Sequence, residues 1–181
     1  AAIHFIYGDF NDENVLLRAN IKKAHSILVL ADEATGGSMQ EIDSRTVMTV
    51  MTIENLTKEI YTCAELMDAK FKPHLKISHC DEIVMSEDFR RTLLINASAA
   101  TGLSHVISTL LDVESPTGLK IAEIPDAYKD KTFGALQEYF LKLDDSVLIG
   151  ILENTGNIFQ RKKEALKEAQ MTPDISKLVS N

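Results

Sequence analysis

The sequence predicts an α/β fold built on a mostly parallel sheet, and three observations carry that expectation. Two short apolar runs, Ile3–Tyr7 and Ser26–Ala31, flank one amphipathic segment of helix size, the pattern of a strand–helix–strand crossover. Each run ends at small or acidic residues, Gly8-Asp9 and Asp32, at the strand ends where ligands of parallel sheets bind. Further short apolar runs recur downstream, each followed by a helical segment,.

Taken in order, Ile3–Tyr7 is the first expected strand. A helix comes next over about Asp12–Ala19: Asn11 or Asp12 caps it, Asp12 and Glu13 favour its positive end, and Val15, Leu16 and Ala19 share a face,. Asn20 is suited to a left-handed stop. Ile27–Leu30, without polar alternation, reads as a buried strand. Glu33–Gln40 is a loop around Gly36-Gly37, and Asp43 or Ser44 caps a helix reaching Leu56. That segment is rich in β-branched residues, which favour strand, but its length and the phase of Val47, Met51 and Ile53 favour helix. Glu59–Cys63 is a strand, Lys72–Ser78 a short helix and Glu82–Met85 another strand. Ser86 opens the longest helix, to about Leu111, with Glu87 and Asp88 in its first turn,. Its middle, NASAATG, holds small residues and Gly102, which costs on the order of 1 kcal/mol against Ala. A partner helix or a kink accounts for that tolerance.

The stretch Asp112–Gly118 (DVESPTG) is the best linker, and it divides the chain into domains of about 1–113 and 117–181. Beyond it, Lys120–Ile124 alternates towards Pro125. Thr132–Phe140 reads as a helix with Phe133, Tyr139 and Phe140 in a small core, Ser146–Leu152 as a strand, Asn154–Asn157 as a turn and Gln160–Gln170 as a charged helix.

Composition excludes several classes. At 181 residues the chain holds one full core, or one medium and one small domain,. A formal net charge of −8 argues against nucleic-acid partners,. No apolar run reaches the roughly 18 residues of a membrane span, and AAIHFIYGDF lacks the basic and long apolar regions of a signal peptide,. Cys63 and Cys80 read as free thiols of a reducing, cytoplasmic compartment. The chain opens on a strand without a Met, and a Gly-rich phosphate loop would be expected upstream of Ala1.

These segments together resemble the regulator of K⁺ conductance (RCK) domain, also called the KTN or TrkA-type domain. The resemblance is carried by FIYGDFNDENVLLRANIKKAHSILVL at 5–30, DSRTVMT at 43–49, IYTCAEL at 60–66 and DEIVMSED at 81–88, in that order. IAEIPDAYKDKTFGALQEYF and SVLIGILENTG at 121–140 and 146–156 look like the family's small C-terminal lobe. The resemblance implies a Rossmann-like N-lobe with a crossover helix over 86–111, followed by a small α+β C-lobe over 117–181. It implies a homodimer through that helix, assembly into an octameric gating ring, and control of a K⁺ channel pore from the cytoplasmic face of the membrane. It implies no catalytic activity. The ligand would be NAD, an adenine nucleotide or Ca²⁺, with Gly8, Asp9, Phe10, Ala31 and Asp32 lining the cleft.

Glu65 is the candidate cation ligand, because hard cations take carboxylate oxygens. One acid is too few for Ca²⁺, so Asp32 or Asp68 would have to contribute, and Cys63 stands where some Ca²⁺-gated members carry a second acid. A surface salt bridge is the competing reading of Glu65, as turn capping is of Asp9 and Asp32. His79-Cys80-Asp81-Glu82 reads as a turn, since zinc would need four ligands. Two alternatives remain beside the channel domain: a regulatory NAD-binding subunit of a K⁺ transporter, and a piece of a nucleotide-dependent oxidoreductase. The second domain offers no acid–base pair for the latter.

Overall fold

Three parallel strands, β1 (Ser26–Val29), β2 (Tyr61–Leu66) and β3 (Glu82–Met85), lie side by side in the order β1-β2-β3 in the computed structural model. The structure describes residues 3–153 and 155–171. Helix α2 (Met39–Leu56) connects β1 to β2, and α3 (Lys72–Ile77) connects β2 to β3. Parallel neighbours require crossovers of this kind. The fold is α/β and Rossmann-like, as the sequence predicts.

The register explains the core. Ile27, Val29, Thr62, Ala64, Leu66, Ile83 and Met85 share one face of the sheet. Against it pack Val50 and Ile53 of α2, Leu75 of α3 and Leu16 of α1 (Glu13–Arg18). On the opposite face Leu28, Cys63, Glu65 and Val84 stay exposed or half-buried. Among the described residues of the first unit, these helices pack on that one face.

Helix α1 starts as expected, with the Asp12 carboxylate accepting from the Asn14 N–H, and Asn20 takes the left-handed conformation that ends the segment. Other expectations are corrected. Ile3–Tyr7 joins no ladder, and Phe5 is 94% exposed. An apolar run becomes a strand only beside a hydrogen-bonding neighbour, and none flanks this one. Helix α2 begins four residues before Asp43. Ser38 and Glu41 form a reciprocal capping box,, and Asp43 lies inside the helix, fully buried. The long helix is broken into α4 (Ser86–Ala99) and α5 (Leu103–Leu111) at Gly102, whose φ is +87°. Only a residue without a Cβ takes that conformation cheaply.

The described residues fall into two compact units, 3–92 with 155–171, and 93–153. The linker Asp112–Gly118 lies inside the second unit, and Asn157 and helix α7 (Ile158–Met171) are bonded into the first. Within the second unit α6 (Phe133–Asp144) is capped by Thr132. Tyr139 stacks on Tyr128 and Phe140, while Phe133 is exposed and Leu136 is buried instead. Lys120–Ile124 and Ser146–Leu152 form no strand: the alternating residues Ile121, Val147, Ile149 and Ile151 are exposed. The strand half of the α+β expectation therefore has no counterpart among the described residues of this unit. Asn154 lies outside them.

Candidate functional site

The carboxyl ends of β1 and β2 sit beside each other because the two strands are parallel and in register, Val29 opposite Ala64. The chain leaving β1 thus passes the side chain of Glu65. The Ala31 N–H donates to Glu65 Oε2 at 3.0 Å, which joins two of the predicted site residues directly. Asp32 comes next. Its carboxylate accepts from the N–H groups of Ala34 and Thr35 and from the Thr35 hydroxyl. That hydroxyl bond, with the backbone donors and the charge of Arg45 behind it, holds the Asp32 carboxyl below its ordinary range.

Arg45 organises the loop after β1. Its guanidinium donates to the carbonyls of Asp32 at 3.1 Å and Gly36 at 3.2 Å, while its buried Nε has no partner. One turn further along α2, the Thr49 hydroxyl lies 2.7 Å from Asn11 Oδ1 and 2.9 Å from the Arg45 carbonyl. Asn11 thereby ties the opening loop to the same helix. Nearer the start of α2, Asp43 reaches the end of β2, where its carboxylate accepts from the N–H groups of Met67 and Asp68 at 2.9 and 2.8 Å. A buried carboxylate persists where donors such as these satisfy it.

The structure joins Ala31 to Glu65, with Asp32 next in the chain, and ties the Gly8–Phe10 loop to α2 through Asn11. It also gives the loop residues local roles. Gly8 lies so close to α1 that a Cβ there would stand 2.6 Å from Val15 Cγ2. Asp9 accepts from the N–H of Asn11, and Phe10 is half-buried. Glu65 bonds to a backbone amide rather than to a cation in a surface pair. Asp68, the other acid suggested for a cation, caps its own turn through the N–H of Lys70. Among the described residues no group of three or more His, Cys, Asp and Glu is gathered as a metal would require.

Sequence reasoning missed Arg45, Asp43 and Thr49. A signal existed: Asp43, Thr46, Val50 and Ile53 follow the helical period, so a carboxylate occupies the apolar phase of α2. It missed Asp81 as well. Read as part of a plain turn, Asp81 accepts from the N–H of Thr62 at 2.8 Å and from the N–H of Ile158 at 2.6 Å. Cys63 and Cys80 are free thiols, as predicted. Burial pushes the Cys80 thiol up to about 12, which keeps it protonated and unreactive.

Residues 1–64 match the family model described as the calcium-activated potassium channel slowpoke-like RCK domain. Over 162 residues the chain is 24% identical to "Putative potassium channel protein YugO" of Bacillus subtilis (strain 168), covering 85% of this chain and 46% of that protein. Over 106 residues it is 23% identical to "Calcium-gated potassium channel TvoK" of Thermoplasma volcanium, covering 58% of this chain and 30% of that protein. The chain spans less than half the length of these curated relatives. The resemblance drawn from the ordered segments 5–30, 43–49, 60–66 and 81–88 is borne out.

Proposed function

We propose that this chain is a regulatory domain controlling a potassium channel, since residues 1–64 match an RCK family model and a parallel sheet is present. It senses a ligand at the carboxyl ends of β1 and β2 and passes the result to a pore through self-association. The observation that carries this reading is the family match combined with the Ala31–Glu65 bond at the strand ends, beside which Asp32 follows in the chain. No helix of the described residues is long and apolar enough to cross a membrane, so the pore would lie outside this segment. The domain would act at the cytoplasmic face of the membrane.

The ligand would be NAD, an adenine nucleotide or Ca²⁺. Asp32, held ionised by its loop, suits a ribose hydroxyl or a cation. A Ca²⁺ ion takes six to eight oxygens, and Glu65 with Asp32 supplies too few, so this chain alone favours a nucleotide. In this reading Asp32 and Glu65, each accepting from backbone N–H groups, bind rather than react. Such a domain works by binding one of two conformational states more tightly.

Helices α4 and α5 bury none of their residues. Leu94 and Ile95 are 65% and 61% exposed, and Val106 and Leu111 are exposed as well. Apolar surface of this kind marks an interface, and in this reading it joins two copies of the chain into the dimer from which a larger ring is built. Sedimentation of the chain at tens of micromolar tests the association. A dimer that becomes a folded monomer in the double substitution Leu94→Lys, Ile95→Lys is expected. A strict monomer for the unsubstituted chain would refute this part of the proposal.

A further inference from the structure

Helix α7 is fastened to the first unit by a buried polar network separate from the strand-end cluster. Asn157 precedes the helix and caps it, its Oδ1 accepting from the N–H groups of Phe159 and Gln160. Its Nδ2 donates to the Ile60 carbonyl at 2.7 Å and to Asp81 Oδ2 at 3.2 Å. Asp81 Oδ1 accepts from the Ile158 N–H. The other anchor of Asp81 is the N–H of Thr62, and the Thr62 hydroxyl bonds Glu54 Oε1 at 2.8 Å. Two carboxyl groups, Asp81 and Glu54, are thus hung on one residue of β2, and one of them holds the start of α7.

Glu54 is out of place. It is 6% exposed, and its Oε2 is buried without a partner. A neutral carboxyl tolerates that environment far better than a carboxylate. We propose that Glu54, Thr62 and Asp81 form a proton-operated latch that holds α7 on the sheet more tightly when Glu54 is protonated.

The groups facing Glu54 set the direction. Thr62 faces it from β2, the Asp81 carboxylate and Cys80 thiol from the turn between α3 and β3, and the Lys58 ammonium from the turn between α2 and β2. Burial dominates and pushes the Glu54 carboxyl up to about 7; the Thr62 bond and Lys58 oppose it, and Asp81 reinforces it. Lys58 has a second partner, since its Nζ lies 5.4 Å from the centre of the Phe159 ring on α7. Ionising Glu54 therefore sets two negative groups against each other across Thr62 and draws Lys58 away from Phe159. Protonation removes the repulsion and returns Lys58 to the ring. His79 also touches Phe159, edge to face at 5.0 Å, and Lys162 lies 5.9 Å from the same ring.

Amide hydrogen exchange of the full chain, corrected for intrinsic rates, separates these groups. Protection of α7 relative to β2 is expected to rise about fivefold from about pH 8 to about pH 6. In Glu54→Gln that dependence disappears and protection stays at the acid level. In His79→Ala the dependence remains. Asn157→Ala loses protection in α7 at both pH values while β2 stays protected. Equal α7 protection at both pH values in the unsubstituted chain overturns the latch. So does a dependence that survives in Glu54→Gln or vanishes in His79→Ala.

Discussion

Replacing Asp43 by Asn removes a charge and exchanges one acceptor for a donor at the end of β2. The Asp43 carboxylate is 0% exposed and accepts two backbone N–H groups, from Met67 and Asp68. An Asn keeps one acceptor and turns an NH₂ group towards the other N–H. Hydrogen bonds to charged acceptors contribute about 1.5–3 kcal/mol each, and an unsatisfied donor costs about 1–3 kcal/mol. Relief of the buried charge offsets part of that loss. The balance is a destabilisation of about 2 kcal/mol, a substantial fraction of the roughly 5–15 kcal/mol that holds a domain folded. With a urea slope of about 2 kcal/mol/M, the midpoint should fall by about 1 M. The backbone at the end of β2 should lose exchange protection first, since it loses its fastening to α2. A midpoint within about 0.3 M of the unsubstituted chain would refute the reasoning, because the two N–H groups would then be satisfied without the carboxylate.

Two other expectations rest on single contacts. Gly8→Ala places a methyl 2.6 Å from Val15 Cγ2 and should cost about 1–3 kcal/mol, the usual range for overpacking. Gly8→Ala with Val15→Ala should recover part of the loss, and failure to recover any would locate the cost in the backbone instead. Glu54 contributes a pH-dependent term to stability. Its carboxyl stands at about 7 in the folded chain against 4.5 ordinarily, so its contribution is fully present below pH 4.5 and is lost as pH rises through about 7. At about 1.4 kcal/mol per tenfold change in proton affinity, the shift amounts to about 3 kcal/mol. Glu54→Gln should then be more stable than the unsubstituted chain by that amount at about pH 8 and should lose the advantage in acid, as read by urea unfolding at each pH. A difference independent of pH would contradict it.

Much of the first unit was legible because its signals are local. Asp12 caps α1 and Asn20 stops it, and the three strands of the sheet are short apolar runs followed by helices. The start of α2 was also written locally, in the Ser38–Glu41 box, but the Gly-rich loop before it disguised the boundary. What stayed hidden depends on neighbours. Ile3–Tyr7 has strand composition and no ladder partner, and the alternating residues of 120–124 and 146–152 fare the same way. Ala31 and Glu65 could be placed at neighbouring strand ends because parallel topology brings such ends together. Arg45, Asp43 and Asp81 were missed because their partners are distant in sequence. Asp81 bonds residue 158 across 77 positions, and no periodicity reports such a contact.

The most direct measurement is potassium flux across vesicles reconstituted with the natural protein that carries this sequence, with NAD, adenine nucleotides or Ca²⁺ added on the side of this domain. A regulatory domain predicts that at least one of these ligands changes the flux, and that Asp32→Ala removes the response while leaving the basal flux in place. Absence of potassium flux, or a flux indifferent to all three ligand classes, would contradict the account.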